Sequence, residues 1–265
     1  KCVGSLVYSR GGERKDTPWG SALFLRPGII SPEGEGGATD MKKIGMIVAV
    51  EMKAVLERYG TPQEEKEYPG YRVLVYEAED YIIYALNCGA GEIAAAAATQ
   101  FLISQMQVDF IVNFGVVGGL TEEMTKTKMC VVESVVHYDF DTTEVDAVEV
   151  GRYLTYPDIY IPTTPDLVEK AENLQPDLKR VVCASGDKFI GNPEKKKEMH
   201  RVFGADICEM EAAGIVLTSN RNRVPCLLIK IVSDSVSGGA EEFRRELEHA
   251  AQICLDTVDQ IIRKL

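Results

Sequence analysis

Four stretches of this chain are too uniformly apolar to leave either face of a strand in water: residues 43–50, 109–115, 129–136 and 224–233. A strand without polar alternation is buried on both faces, and helices have to supply the cover. The intervening segments carry that cover. Residues 51–59 and 193–203 read as amphipathic helices, the second strongly basic. A helix is expected to open at Gly89-Ala90-Gly91 and run through 106, with a run of alanine, the best helix former, at 94–98. Its small face permits close packing. Thr164 stands as a cap and Pro165 as the first residue of a helix over 165–173. Another helix is expected over 209–220. The last spans 241–265, where Phe243, Leu247, Cys254, Val258, Ile261 and Leu265 share one stripe. Residues 71–76 and 81–87 read as a hairpin turning at Glu79-Asp80, and 181–185 as a short strand. Strands alternating with helices predict an α/β chain, a three-layer αβα sandwich around a central twisted mixed sheet.

Residues 1–40 break this pattern with Gly11-Gly12, Pro18, Pro27, Pro32 and Gly34-Glu35-Gly36-Gly37. Met41 directly precedes the first clean strand, so 1–40 is expected to be a disordered or non-native leader and 41–265 a single domain. A net charge of −12 argues against a nucleic-acid surface, which needs clustered Lys and Arg. Seven scattered cysteines, several inside apolar runs, point to free thiols in a reducing compartment, hence the cytoplasm. No Cys/His spacing suggests a metal, no cofactor is implied, and no apolar run is long enough to cross a bilayer.

Chemistry concentrates where apolar runs end. In Glu209-Met210-Glu211, two carboxylates flank a methionine just before a small-residue helix; Ser233-Asp234 closes the last strand. Such a pocket suits a ligand with a flat apolar ring, a diol and a heteroatom needing a proton. A purine nucleoside has all three. Gly115-Val116-Val117-Gly118-Gly119-Leu120 follows a buried strand, either as a turn aiming amides at a ligand or as a tight strand exit. In Ser185-Gly186-Asp187-Lys188-Phe189-Ile190, Phe189 either stacks on a base or fills core. His137-Tyr138-Asp139-Phe140-Asp141 is either a solvated strand end or a support beside the site.

Taken in order, the Met41 strand, Gly115 to Leu120, Ser185 to Ile190, Glu209 to Glu211 and Ser233-Asp234 resemble the purine nucleoside phosphorylase and hydrolase superfamily. Within it the chain looks most like the 5′-methylthioadenosine/S-adenosylhomocysteine nucleosidases, enzymes of methionine salvage. The resemblance covers almost everything from Met41 onward. It implies that Asp234 protonates the departing purine at N7 and that Glu211 binds the ribose hydroxyls over Met210. It also implies that Phe189 and Ile190 hold the purine and that Val117 and Gly118 flank ribose and base, with Glu209 and Ser233 in the same motifs. A homodimer is implied, with a neighbouring subunit closing the 5′ side of the substrate. Residues 145–158, including Tyr153, Leu154, Tyr156 and Pro157, are the candidate wall, or else an irregular surface loop.

The family carries a water-activating glutamate after the first strand. Counted without gaps from Gly45, that position is Lys53, and Glu51 stands two residues earlier. On a helix this offset points to nearly the opposite face. Either Glu51 serves through a rearranged turn, or Lys53 marks other chemistry: phosphorolysis, with Lys53 gripping an anion, or nucleoside binding without catalysis.

Overall fold

The computed structural model describes residues 41–265; the expected leader, 1–40, lies outside the described residues. The elements follow in chain order: β1 (Lys42–Val48), α1 (Met52–Tyr59), β2 (Glu64–Tyr68), β3 (Tyr71–Glu77), β4 (Tyr81–Asn87) and α2 (Glu92–Phe101), which a wider turn extends over Leu102–Met106. Next come β5 (Phe110–Gly119), α3 (Glu122–Thr127), β6 (Met129–His137), α4 (Thr143–Asp146), β7 (Ile161–Pro162), α5 (Pro165–Leu174) and β8 (Lys179–Ser185). The chain closes with α6 (Pro193–Phe203), β9 (Ile207–Glu209), α7 (Ala212–Asn222), β10 (Cys226–Asp234) and α8 (Ala240–Ile262).

The sheet is mixed. β1, β4, β5 and β10 are parallel, β2 and β3 continue antiparallel from β4, and β6 and β9 meet β10 and β5 antiparallel. Because β10 pairs with both β5 and β6, the strands β5, β9, β8, β6 and β10 form a closed circuit. The expected sandwich is therefore present, with one half of its sheet curled upon itself. Three joins in the circuit are short: β10 meets β6 from Ile229 to Ile231, β8 meets β9 from Cys183 to Ser185, and β9 meets only Gly118 and Gly119 of β5.

Two apolar cores cover the sheet. One gathers α1, α5 and α8 through residues such as Val55, Val168, Cys254 and Val258; the other gathers α2 and α7 through Ala95, Ala98, Ala213 and Val216. These layers explain the uniformly apolar strands: β5 and β10 are buried from end to end.

Three local expectations change. β5 continues through Gly119, so of the two readings of Gly115 to Leu120 the turn is excluded: Gly115 to Gly119 is strand and Leu120 follows its exit; the glycines serve close approach. Thr164 does not cap α5, because its hydroxyl accepts from the Cys226 amide at 2.9 Å. The helix expected from Glu209 starts at Ala212, since Glu209 still belongs to β9.

The alanine face of α2 packs on α7, and Gly214 is the point of closest approach. A Cβ there would lie 2.4 Å from the Glu92 carbonyl oxygen and 3.1 Å from the Ala96 nitrogen. Both neighbours are backbone, so neither can yield without moving a helix. Gly214→Ala is expected to cost about 1–3 kcal/mol by overpacking, read as a lowered midpoint in urea unfolding. An unchanged midpoint would mean that the two helices are not locked together here.

Candidate active site

Asp234 ends β10 just after a bulge that shifts the register against β5 between Val232 and Asp234. A bulge re-aims the next side chain, and the Asp234 carboxylate turns inward beside Gly118, 1 % exposed. Its Oδ2 accepts from Lys196 Nζ at 2.6 Å and its Oδ1 from Ser233 Oγ at 3.0 Å. Lys196, also fully buried, additionally donates to the Ser235 carbonyl at 2.6 Å. Burial raises the Asp234 carboxyl above the ordinary aspartate range, against the opposing pull of Lys196 and Ser233. A Cβ on Gly118 would lie 3.3 Å from Oδ2 and 3.0 Å from Cys208 Sγ, so glycine leaves the acid its space.

Asp234, Gly118, Phe189, Ile190, Glu209 and Met210 line one cleft. Phe189 is 48 % exposed and meets Phe243 edge-on at 5.4 Å, so it borders the cleft instead of filling core. Ile190 packs against the small cluster of Met199 and Cys208. Val117 does not reach the cleft. Its side chain belongs to the core under α2 and α7, and only its carbonyl takes part, accepting from Ser233 Oγ at 3.3 Å. The Tyr138 hydroxyl donates to the Gly186 and Lys188 carbonyls at 3.4 and 3.3 Å, and Lys188 pairs with Asp139 at 2.6 Å. The 137–141 segment is thus a support for the loop that carries Phe189.

The other end of the site is acidic. Glu209 accepts from the Glu211 and Ala212 amides at 2.9–3.1 Å, from Ser185 Oγ at 2.5 Å and from Lys230 Nζ at 3.3 Å. Both of its oxygens are occupied within the protein. Glu211 Oε1 accepts from the Gly91 amide at 2.9 Å. Burial and the Glu209 charge push the Glu211 carboxyl up to about 7, with Lys230 and Gly91 pulling the other way. Glu92, at the start of α2, contacts Ser185 Oγ and the Gly214 amide, and burial followed by the Glu209 charge pushes it up to about 8. Burial alone would lower the Lys230 ammonium; Glu209 and Glu211 reverse this and raise it.

Glu51 is buried beside them. Its carboxylate accepts from the Val116 amide at 3.0 Å and from the Val50 amide at 3.0 Å. Gly115 is what admits it, since a Cβ there would sit 2.7 Å from Oε1. Lys53 points elsewhere: exposed, it pairs with Glu248 at 2.6 Å and Glu57 at 3.9 Å. The expectation that Lys53 could grip an anion is corrected, because α8 supplies its counter-charge.

Sequence reading missed Lys196, Lys230 and Glu92, and it quoted Ser185 and Asp187 in a motif without giving either a role. Asp187 Oδ1 accepts the Glu92 amide at 2.8 Å and so holds the first turn of α2 from the loop after β8. Two signals were available. Lys196 stands on the stripe of Met199 and Phe203, and Lys230 interrupts an otherwise apolar buried strand. A charged residue at a core position needs a partner.

Residues 43–264 match the profile of the phosphorylase superfamily. A 5′-methylthioadenosine/S-adenosylhomocysteine nucleosidase of Staphylococcus aureus (strain MRSA252) is 29 % identical over 229 residues, covering 84 % of this chain and 100 % of the relative. Among solved structures, the Helicobacter pylori nucleosidase of the same name, bound to butyl-thio-DADMe-Immucillin-A, superposes with a TM-score of 0.79 at 24 % identity, covering 85 % of this chain and 100 % of that one. A futalosine hydrolase mutant from H. pylori gives the same score, identity and coverage.

Lys230 neutralises carboxylates that are each less than a tenth exposed. Lys230→Met is expected to cost about 3–5 kcal/mol of stability at pH 8, the scale of a broken buried pair. The loss should be smaller at pH 5, where Glu92 and Glu211, both raised, hold protons and repel less. Urea unfolding at the two pH values checks this; an equal loss at both would remove Lys230 from that role.

Proposed function

Because the chain belongs to the phosphorylase superfamily, we propose that it hydrolyses the N-glycosidic bond of an adenine nucleoside of the 5′-methylthioadenosine/S-adenosylhomocysteine type, releasing the free base. The observation that carries this reading is Asp234: a buried carboxyl, raised by burial, opening on a cleft bordered by Phe189, Ile190 and Met210. The nucleosidase name of the S. aureus relative supports the same substrate class.

The purine lies between Phe189 and Ile190, and the ribose lies over Met210 with its hydroxyls on Glu211. As the bond between C1′ and the base lengthens, positive charge grows on the sugar and negative charge on the base. The carboxylates at the sugar end favour the first change. Asp234 answers the second by giving its proton to N7, so the electron pair of the broken bond leaves with a neutral base. Glu51 takes a proton from the attacking water. Its carboxylate is fixed by the Val50 and Val116 amides, so it acts as a positioned base rather than a mobile one. Glu209 and Ser233 position Glu211 and Asp234 through the hydrogen bonds described above. No step requires a metal or a cofactor.

Residues 41–265 act as one catalytic domain, and the protein works in the cytoplasm as a homodimer in methionine salvage. Support for the dimer comes from the 142–158 segment. Val145 and Leu154 are 86 % and 67 % exposed there, while Tyr153 stacks on Phe140 at 4.0 Å and keeps the segment ordered. An exposed apolar pair on an ordered loop suits closure of the 5′ side by a neighbouring subunit.

Free adenine released from 5′-methylthioadenosine should appear at the same rate with and without phosphate. Strict phosphate dependence would mean phosphorolysis, and binding without release would mean a nucleoside-binding protein. Asp234→Asn should lower kcat by about two orders of magnitude or more with little change in binding, the usual scale for a lost general acid. Glu51→Gln should lower kcat to a similar degree. Lys53→Ala, which removes only an exposed ion pair, should change it less than about twofold. A larger effect at Lys53 than at Glu51 would reverse the assignment of the base.

A further inference from the structure

Ser185 Oγ stands at the centre of more contacts than one hydroxyl proton can serve. It meets Glu92 Oε1 and, at 2.5 Å, Glu209 Oε1, and it accepts from the Ala213 amide at 3.0 Å. A serine hydroxyl has one proton to donate and two lone pairs. With the Ala213 amide on one lone pair, a single contact to carboxyl oxygen can use the serine proton. The other oxygen must bring a proton of its own. Glu209 is the acceptor, since Lys230 and the amides of Glu211 and Ala212 already converge on it.

We propose that Glu92 is a positioning residue that works as a neutral carboxylic acid, donating to Ser185, which in turn donates to Glu209 and so steadies the junction that presents Glu211. The remaining Glu92 oxygen accepts from the Gly214 amide, tying α2 to α7. Gly91, the residue before it, gives its amide to Glu211. Displacing Glu92 therefore moves a hydrogen bond of the sugar-binding carboxylate. The inference rests on the functional reading only in taking Glu211 as that carboxylate.

The surroundings keep the proton in place. Glu209, Glu211 and the Asp187 carboxylate that holds the Glu92 amide face this position, as do the Tyr138 and Tyr153 phenols, and the one ammonium of the cluster, Lys230, contacts Glu209. Burial and Glu209 push the group up to about 8, against an ordinary value of 4.5. In that window the folded protein holds a proton that the unfolded chain has released, so stability falls as pH rises.

The test compares wild type with Glu92→Gln and Glu92→Ala, using infrared difference spectra, thermal melting from pH 5 to pH 9, and kinetics with 5′-methylthioadenosine. Beside the bands of the other protonated carboxyls, wild type should show at pH 7 one carboxylic-acid carbonyl component that fades above pH 8 and is missing in Glu92→Gln. The melting advantage of Glu92→Gln over wild type should be near zero at pH 5 and widen towards pH 9. Glu92→Ala should raise KM about tenfold with a smaller fall in kcat, and Glu92→Gln should recover most of that KM. Identical wild-type and Glu92→Gln spectra, a Glu92→Gln protein that does not fold, or one as impaired as Glu92→Ala would each overturn the proposal. If wild type releases no adenine, the functional reading fails, while the spectra and melting curves still decide the state of Glu92.

Discussion

The contact between Lys230 and Glu209 is the interaction on which the site depends. Glu51, Glu92, Glu209 and Glu211 are each less than a tenth exposed, and four negative charges in such a space would prevent the strands from closing. A buried charge left alone costs several kcal/mol. Lys230 enters on β10, the strand buried from end to end, and brings its ammonium to within 3.3 Å of Glu209. Glu209 then distributes that neutralisation: its oxygens hold the first amides of α7, where a helix N-terminus also favours negative charge. Glu211 can consequently keep an oxygen on Gly91 and still face the cleft.

A second buried lysine divides the site chemically. Lys196 serves Asp234 at one end of the cleft as Lys230 serves Glu209 at the acidic end. The outcomes differ. Asp234 has one cation and one hydroxyl, with no main-chain amide on its carboxylate in the structure, and burial still prevails over them. Glu209 has a cation, a hydroxyl and two amides. The first arrangement suits a group that has to carry and release a proton; the second suits a fixed anion. The contrast lies in the supply of donors, since both carboxyls are aligned by the sheet.

The layered fold was legible because its signal is carried by whole segments: four apolar runs demand cover on both faces, whichever residue begins each one. The candidates Asp234, Glu211, Met210, Phe189 and Ile190, which line or border one cleft, were singled out because each stands in a short motif at or just beyond the end of a strand. What stayed hidden was long-range. Ser185 is 93 residues from Glu92, and Lys196 is 38 from Asp234. Nothing local indicates that either pair shares a proton. The curl of β5, β9, β8, β6 and β10 into a circuit was likewise invisible, because it depends on short pairings and register shifts between strands far apart in the chain. Gly115 to Leu120 stayed open between a turn and a strand exit for a related reason. Glycines usually signal chain reversal, yet here they make room on a continuing strand for the carboxylates of Glu51 and Asp234.

That last point also resolves the displaced glutamate. A helix-capping side chain ordinarily bonds to its own first turn. Glu51 occupies the capping position of α1 yet makes no such bond. It reaches instead across the sheet to the Val116 amide and back to Val50, a geometry open only because residue 115 lacks a Cβ. The connection from β1 to α1 is only Ala49, Val50 and Glu51 long, so the residue just before the helix is delivered straight to Gly115 and Val116 of the neighbouring β5. Two residues further on, helical geometry has already turned Lys53 outward to Glu248. The ungapped position and the spatial position therefore part company within half a turn of helix, and it is Glu51, at the spatial one, that lies buried beside Glu211 while Lys53 is exposed.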